Sequence, residues 1–157
     1  MKISYLADCP QEAKTIAQWY FDEWAYAVPE VTVEKVLDNV KSNATSRAGS
    51  PLIMTLHEDH QLCACAELKL RENKNHPEYE NWVGGVYVQE NYRGRGYASA
   101  LLDKAKQHTL QHNIKTLYLQ CEDKNIALYL KQGFDVLHES EHNGIKTTIM
   151  CWQGAKC

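Results

Sequence analysis

The chain has 157 residues, of which 44% are hydrophobic and 24% are charged, and its net charge at pH 7 is −3. This length and composition predict one compact domain over residues 1–157 with an apolar core. Because the net charge is weakly negative, we do not expect nucleic acid as a partner. No apolar run is long enough for a membrane helix and no signal-peptide pattern opens the chain, so we expect a cytoplasmic protein without a membrane partner.

The first third of the chain predicts a short strand and two helices. Residues 2–6 suit a strand, and Asp8 is the expected N-cap of a helix whose first turn holds Pro10 and Glu12. Apolar residues then recur every three or four positions, which predicts an amphipathic helix to about Ala25. Thr32 is the expected N-cap of a second, shorter helix.

The rest of the chain alternates strand and helix patterns. "PLIMTLHED" and "QLCACAELKLREN" predict an antiparallel hairpin, and "WVGGVYV" predicts a strand before a long helix. "KTLYLQC" predicts the next strand, "NIALYLKQG" a short helix ended by Gly133, and the remainder a hairpin at Asn143-Gly144. This order predicts an α/β fold with a mixed sheet of six or seven strands and four helices.

The six cysteines lie mostly in apolar runs, and none has the spacing of a zinc ligand set. We therefore expect buried free thiols and no metal site.

A turn rich in arginine and glycine, "YRGRGYA", stands between the fourth predicted strand and the long helix. A helix start exposes backbone N–H groups without intrahelical partners, and the helix dipole makes that end partly positive. Gly94 and Gly96 permit close approach, and Arg93 and Arg95 add positive charge. The turn therefore predicts an anion site, with a diphosphate as the best-matched ligand.

Two other nucleotide-binding patterns are excluded by spacing. A P-loop needs a lysine followed by serine or threonine after its second glycine, and no such run is present. A dinucleotide fingerprint needs a third glycine, but Gly96 is followed by Tyr97, Ala98 and Ser99.

The stretch "VYVQENYRGRGYASALL" resembles the coenzyme-binding motif of the GNAT family of N-acetyltransferases, in which strand four ends in V-x-P-x-x-R-G-x-G-x-[GA]. The downstream "LYLKQGF" resembles the second motif of that family, in which a tyrosine precedes a Gly-Phe pair. Together with the element order, the resemblance covers essentially the whole chain. More loosely, the sequence resembles uncharacterised bacterial members related to protein N-terminal acetyltransferases.

The resemblance implies acetyl-CoA as cosubstrate and a set of residues that bind it. Backbone N–H groups from Arg93 to Ala98, through Gly94, Arg95, Gly96 and Tyr97, are expected to line its pyrophosphate. Val86 and Val88 are expected to face the pantetheine arm, and the Val88 N–H to donate to the thioester carbonyl.

The second motif implies that Tyr129 protonates the leaving thiolate, although its position also fits an apolar helical face. Asn125 is a further cofactor-binding candidate. It lies only four residues before Tyr129, where the family asparagine lies about seven before, and Glu90 stands where the family often has proline.

The need for a catalytic base depends on the acceptor amine. A lysine-like amine with a pKa of about 10.4 costs about 4–5 kcal/mol to deprotonate at pH 7, whereas an α-amino group near 8 costs about 1.4. In histone-type relatives a glutamate on strand four serves this purpose, and Trp82 occupies that position here. Glu67 is the leading candidate, because it shares a strand face with Cys63 and Cys65, where burial would raise the pKa of its carboxyl. The alternative is an ordinary strand residue that faces solvent.

Alternatives to Glu67 as base are His76, Glu78 and Glu80 in the loop before strand four, or a water relay without a single base. The acceptor wall is expected to include Trp24, Tyr26, Glu80 and Trp82, where aromatic rings and carboxylates suit an aliphatic or cationic amine.

The function predicted from these features is transfer of an acetyl group to a primary amine by direct attack in a ternary complex. The acceptor classes, in order, are a small-molecule amine, a peptide or protein N-terminus, and an aminoglycoside. A non-catalytic acyl-CoA-binding sensor is the rival, and a homodimer is possible.

Overall fold

In a computed structural model, which describes residues 1–25, 28–142 and 144–154, the chain forms strands and helices in the predicted order. The helices are α1 Ala13–Tyr20, α2 Val33–Asn43, α3 Tyr97–Gln111 and α4 Ile126–Lys131. The strands are β1 Lys2–Tyr5, β2 Leu52–Glu58, β3 Gln61–Leu70, β4 Asn81–Val88, β5 Thr116–Cys121, β6 Asp135–His142 and β7 Ile145–Gln153.

The strands form one mixed sheet in the order β1-β2-β3-β4-β5-β7-β6. β4 and β5 are parallel, whereas β1 with β2, β5 with β7, and β6 with β7 are antiparallel. The two-residue connection between β2 and β3 places Asp59 and His60 at φ 49° and 66°, the positive angles of a tight hairpin turn. The predicted α/β fold with a mixed sheet is confirmed.

Contacts divide the chain into two compact units. The first unit comprises Met1–Glu67 and Gly85–Leu101, and the second comprises Leu68–Gly84 and Leu102–Cys157, so the division falls within β3, β4 and α3. The apolar stripe of α1 is buried in the core of the first unit as the periodicity predicts. The buried members of this core are Leu6, Ala13, Ile16, Ala17, Tyr20, Val40, Ala44, Ile53, Leu62 and Cys65.

The start of α1 differs from the prediction. Two short 3₁₀ turns, Leu6–Asp8 and Pro10–Glu12, precede the helix, and Glu12 occupies the N-cap without a capping hydrogen bond from its side chain. Asp8 is not the cap, because it ends the first of these turns, four residues before Glu12, and its carboxylate pairs with the Arg47 Nε at 2.5 Å. The predicted cap of α2 is confirmed, since the Thr32 hydroxyl accepts a hydrogen bond from the Lys35 N–H at 3.2 Å.

The end of α1 continues beyond Tyr20 as a π-helical turn, Phe21–Ala25. A π-turn places one extra residue in the helical repeat and so changes which side chains face the core. This turn lies at the predicted end of the helix near Ala25.

In the second unit, α4 ends where the pattern predicts, because Gly133 adopts φ +87°, which favours glycine. The register between β6 and β7 shifts between Val136 and His138. Of the hairpin turn that follows β6, Gly144 is described with φ +80°, and Asn143 lies outside the described residues.

All cysteines in the described ranges are free thiols: Cys63, Cys65, Cys121 and Cys151 are buried, and Cys9 is partly buried. Cys157 lies outside the described residues. Within the same ranges, no helix has the length and apolar character needed to cross a membrane.

Candidate active site

The irregular point of β4 is Gly85, which adopts φ +56° inside the strand. A Cβ at this position would lie 2.5 Å from the Tyr20 hydroxyl oxygen and 2.7 Å from the Glu67 Oε2. Real side chains do not tolerate such distances, so only glycine lets the β4 backbone approach these two groups. All three residues belong to the first unit.

The Tyr20 hydroxyl is the centre of a buried polar cluster. It donates to the Gly85 carbonyl at 3.0 Å, lies 3.4 Å from the Cys65 Sγ, and is hydrogen-bonded to Glu67. Burial, reinforced by the neighbouring Cys65 and Glu67, raises the pKa of the Tyr20 phenol well above its usual value. Tyr20 therefore remains a neutral hydroxyl that can hold a carboxylate in place.

Glu67 lies on the inner part of β3, with only 4% of its surface exposed. Its burial agrees with the position that the period-two spacing from Cys63 and Cys65 indicates. A buried carboxylate is costly unless polar partners surround it, and Tyr20 is such a partner here.

Three aromatic residues of the first unit form a group that we call the aromatic wall: Trp19, Trp24 and Tyr87. Trp19 stacks on Tyr87 at a centroid distance of 4.9 Å, and Trp24 meets Tyr87 edge-on at 6.3 Å. Trp24 lies in the π-turn and is 43% exposed, so it is not a core residue. Tyr26, the other aromatic acceptor candidate of this region, lies outside the described residues.

The glycine turn opens α3 as the sequence predicts. Gly94 and Gly96 both adopt φ +81°, and an added Cβ on either would meet no atom within 4 Å. Among the described residues, the N–H groups from Gly94 to Ala98 donate no backbone hydrogen bond, whereas the Ala100 N–H donates to the Gly96 carbonyl at 3.0 Å. Arg93 differs, because its N–H donates to the Glu90 carbonyl at 3.3 Å.

Both arginine side chains of the turn are held by aromatic rings. The Arg93 guanidinium lies 5.5 Å from the centroid of Tyr87, and its Nε donates to the Val88 carbonyl at 2.9 Å. The Arg95 guanidinium lies 5.1 Å from the centroid of Tyr92. These contacts keep two positive charges beside the start of α3, where an anion is favoured.

The end of β4 carries Val86 and Val88, and both are partly buried. The Gln89 N–H that follows donates to the Cys63 carbonyl at 2.8 Å, which ties the strand exit to β3. The side chain of Gln89 also accepts from the Asn91 N–H at 2.9 Å, and the turn is thereby ordered before the glycines.

In the second unit, Tyr129 lies partly buried on α4 and meets Phe134 edge-on at 6.3 Å. Burial, with smaller contributions from Cys121 and Glu72, raises the pKa of the Tyr129 phenol to about 12. Tyr129 is therefore protonated across the physiological pH range. The Tyr129 hydroxyl is therefore available as a hydrogen-bond donor.

Asn125 occupies the N-cap position of α4, but its side chain does not cap the helix. Its N–H donates to the Glu122 carbonyl at 3.0 Å, and the residue is partly buried. The structure thus leaves the Asn125 amide outside the hydrogen bonding of α4.

The loop before β4 is an ordered aromatic cluster rather than an open chain. His76 stacks on Tyr79 at 5.2 Å and makes a 2.9 Å hydrogen bond with the Ser140 hydroxyl. The Tyr79 hydroxyl makes a 2.8 Å hydrogen bond with His138, and Glu78 lies 3.6 Å from the His76 ring. His76 is therefore engaged in structure, which weakens it as an alternative base.

Two acceptor candidates of this loop differ in exposure. Glu80 is exposed, and its carboxylate lies 3.6 Å from the Arg71 guanidinium. Trp82 is fully buried, and its indole N–H donates to the Tyr79 carbonyl at 2.6 Å. The expectation that Trp82 contacts an acceptor is not supported by this placement, because the ring has no exposed surface.

Tyr20, Gly85, Trp19 and Tyr87 were not predicted as site residues. In the sequence, Tyr20 appears only as a member of the apolar stripe of α1, because its hydroxyl does not affect the hydrophobic periodicity. The glycine pair Gly84-Gly85 inside an apolar strand is the one sequence signal that points to close backbone approach.

The sequence model of the acetyltransferase (GNAT) family matches residues 13–134. The chain therefore belongs to the GNAT acetyltransferases, and it is an acyltransferase of a family that uses acetyl-CoA. No curated protein matches the chain.

Solved structures of acetyltransferases share the fold. A probable acetyltransferase from Staphylococcus epidermidis is 18% identical, with 98% of this chain and 99% of that chain covered and a TM-score of 0.72. A putative acetyltransferase from Salmonella typhimurium, solved with its cofactor acetyl-CoA, is 16% identical over 100% and 95% of the two chains, with a TM-score of 0.72. A spermidine N-acetyltransferase chimera from Vibrio cholerae and hSSAT is 15% identical over 98% and 97%, with a TM-score of 0.72.

Proposed function

We propose that this family member transfers the acetyl group of acetyl-CoA to the primary amine of a small molecule, by direct attack of the amine in a ternary complex. The observation that carries the proposal is Glu67, a buried carboxylate hydrogen-bonded to Tyr20 beside the Gly85 backbone of β4. Burial of a carboxylate costs folding free energy, and a chemical role explains why one is kept at this position.

The glycine turn binds the pyrophosphate of the cosubstrate in this proposal. Acetyl-CoA supplies the acetyl group as an activated thioester. The N–H groups from Gly94 to Ala98 fit an anion because they have no backbone partner, and the dipole of the 15-residue α3 favours negative charge there. Arg93 and Arg95 add two positive charges at the same turn.

Glu67 is the proposed base. An amine becomes strongly acidic as its nitrogen bonds to the acyl carbon, so a carboxylate within reach, directly or through one water, accepts the proton during attack. Tyr20 positions this carboxyl group through the hydrogen bond between them, and its raised pKa keeps the phenol protonated.

Tyr129 is proposed to donate a hydrogen bond to the thiolate that leaves. Its pKa of about 12 lies about 3.5 units above that of an ordinary thiol, so complete proton transfer would cost about 5 kcal/mol. A donated hydrogen bond stabilises the developing negative charge without that cost. In this proposal the thiolate then takes its proton from water, which differs from the general-acid role that the family resemblance implies.

The aromatic wall supports an acceptor with an apolar or cationic body. Trp24 is accessible, and Trp19 and Tyr87 stand behind it as a packed pair. Aromatic faces attract cations and bury alkyl chains. Polyamines and aromatic amines therefore belong in the first acceptor panel, and a polyamine is also the substrate in the name of one structural relative.

The test combines a thermal shift with a thiol-release assay across amines, peptides and aminoglycosides. A ligand that binds only the folded protein at 100 times its Kd adds about 2.7 kcal/mol, so acetyl-CoA and CoA raise Tm by several degrees and ATP does not. Thiol release with one class of small amine supports the proposal. Stabilisation without release from any amine contradicts transfer and supports a sensor, and release only from peptides contradicts the small-molecule acceptor.

A further inference from the structure

Three side chains of the first unit converge at a point that the proposed reaction does not use. The Cys9 Sγ, a carboxylate oxygen of Glu12 and a ring nitrogen of His57 all lie within 4.8 Å of one another. We propose that Cys9, Glu12 and His57 form a binding site for a zinc ion. The proposal is independent of the acetyl-transfer reaction.

The local fold brings Cys9 and Glu12 together. The Glu12 N–H donates to the Cys9 carbonyl at 3.0 Å across the Pro10–Glu12 turn, which is a 3₁₀ helix. Side chains at positions i and i+3 of a 3₁₀ turn project from the same side, since this helix has three residues per turn. The turn thus presents a sulfur and a carboxylate in one direction.

The third ligand comes from the neighbouring strand. His57 lies on β2, where it pairs in register with Lys2 of β1. Its Nε2 lies 2.6 Å from the Glu12 carboxylate, so the imidazole already faces the turn. A bound ion would therefore link the N-terminal turn to β2 across 45 residues of sequence.

The donor set matches zinc better than other common cations. A thiolate, an imidazole and one carboxylate are typical zinc ligands, and three protein ligands leave a fourth position for water. Calcium and magnesium prefer oxygen ligands, and this cluster offers a single carboxylate. The soft sulfur further disfavours both ions.

The distances require only small side-chain movements. Ligand atoms about 2.1 Å from a tetrahedral zinc ion lie about 3.4 Å from one another. On zinc binding, the distance of 2.6 Å between the His57 Nε2 and the Glu12 carboxylate would increase by about 0.8 Å. Any two ligand atoms as far apart as 4.8 Å would approach each other by about 1.4 Å. Rotation of these partly buried side chains accommodates shifts of this size.

The surroundings suit a cation that enters from solvent. The side chains of His57 and Glu12 are 15% and 21% exposed, so the cluster is accessible but partly desolvated. The Thr55 hydroxyl lies 3.9 Å from the Cys9 Sγ and can orient it as an outer-shell partner.

Binding of a zinc ion releases one proton from the Cys9 thiol. The S–H bond of Cys9 breaks, a zinc–sulfur bond forms, and the proton passes to the buffer. No redox partner is needed. The sequence alone did not indicate this site, because its ligands come from a turn and a strand that only the fold brings together.

The experiment uses the full chain, freed of metal with a chelator and titrated with Co²⁺ and then Zn²⁺. We expect one equivalent of Co²⁺ to produce thiolate-to-cobalt charge-transfer absorption, and Zn²⁺ to displace it. Cys9→Ser removes this absorption. Changes of outer-shell partners typically weaken metal binding by about 10- to 100-fold. Because His57 is a direct ligand in this proposal, His57→Gln weakens Co²⁺ binding by more than that.

The matched control is His60→Asn, which changes an exposed histidine of the same hairpin and keeps a residue that tolerates positive φ. It binds Co²⁺ like the wild type. The proposal is overturned if no charge-transfer absorption develops, or if Cys9→Ser retains it. Circular dichroism without metal checks folding of each variant, and Glu12→Gln replaces any variant that does not fold.

Discussion

Tyr129 has an environment that suits a hydrogen-bond donor better than an acid. Its phenol has a pKa of about 12, raised chiefly by burial. We expect Tyr129→Phe to lower kcat by about 100-fold, the typical cost of losing one donor to a developing anion, and to leave the Kd of CoA unchanged. Steady-state kinetics and calorimetry measure the two quantities.

The control for this prediction is Tyr118→Phe, which changes a tyrosine of the same unit that stacks on Tyr79 and has no role in the proposed reaction. It retains the wild-type kcat. Equal turnover in Tyr129→Phe and the wild type would remove Tyr129 from the reaction.

Substitutions of Glu67 and Tyr20 differ in their expected effects on kcat, because Glu67 accepts the proton of the amine and Tyr20 only positions Glu67. Glu67→Gln keeps the shape of the side chain and removes the base, so kcat falls by about 100- to 10,000-fold. Tyr20→Phe removes the hydroxyl that is hydrogen-bonded to Glu67 and to the Gly85 carbonyl but leaves the base, so it lowers kcat by a smaller factor, about 10-fold. Acetyl-CoA affinity is unchanged in both, as measured by calorimetry.

The order of these two effects is the critical comparison. If Tyr20→Phe lowered kcat more than Glu67→Gln, the carboxylate would not be the base. Rescue of Glu67→Gln by small exogenous carboxylates would be a further sign of proton transfer.

At the scale of an element, β4 depends on glycine at one position. Gly85→Ala places a Cβ 2.5 Å from the Tyr20 hydroxyl oxygen and puts alanine at φ +56°. We expect a loss of about 2–4 kcal/mol in the free energy of unfolding, from backbone strain and overpacking together. Urea denaturation measures this loss.

The matched control is Gly49→Ala, because a Cβ at Gly49 meets no atom within 4 Å and the residue does not require positive φ. Its effect stays within about 0.5 kcal/mol. The double variant Tyr20→Phe/Gly85→Ala recovers part of the loss, since the closest clashing atom is absent. Strict additivity of the two changes would contradict a clash with the hydroxyl.

Elements were predicted well where the pattern is local, and less well where a distant group intervenes. The stripe of α1 and the cap at Thr32 follow from spacing and from one adjacent N–H. Asp8 fails as a cap because two 3₁₀ turns delay the helix to Ala13, and its carboxylate pairs instead with Arg47, 39 residues away. The π-turn that exposes Trp24 likewise has no counterpart in the 3.6-residue period.

For the whole molecule, buried acids that keep their protons predict lower stability at alkaline pH. The fold raises the pKa of Cys121 from 9.0 to about 11 and that of Tyr129 from 10.0 to about 12, mainly through burial. Folded-state values above the unfolded ones mean that this stability is fully present below pH 9 and is lost as pH rises through about 11–12.

Urea denaturation at intervals from pH 7 to 11 measures this dependence. Tyr129→Phe flattens the fall above pH 10, since phenylalanine has no proton to lose in either state. A wild-type stability that stays constant between pH 9 and 11 would contradict the burial of these groups.

The sequence by itself determined the order of strands and helices, the α/β class and the glycine turn that opens α3. These depend on residue spacing, on caps and on turn residues, which act over a few neighbouring positions. Its two motifs also indicated the family, which the match over residues 13–134 shows.

Only the tertiary structure decided which polar groups meet. Tyr20 and Gly85 are 65 residues apart, and Glu12 and His57 are 45 apart, yet each pair is in contact. The tertiary structure also buried Trp82 and left Trp24 exposed. The sequence alone did not distinguish these two tryptophans, because both were expected in the acceptor wall. The physical reason is that such contacts depend on the twist and register of the sheet and on helix packing, and no local period in the chain encodes these.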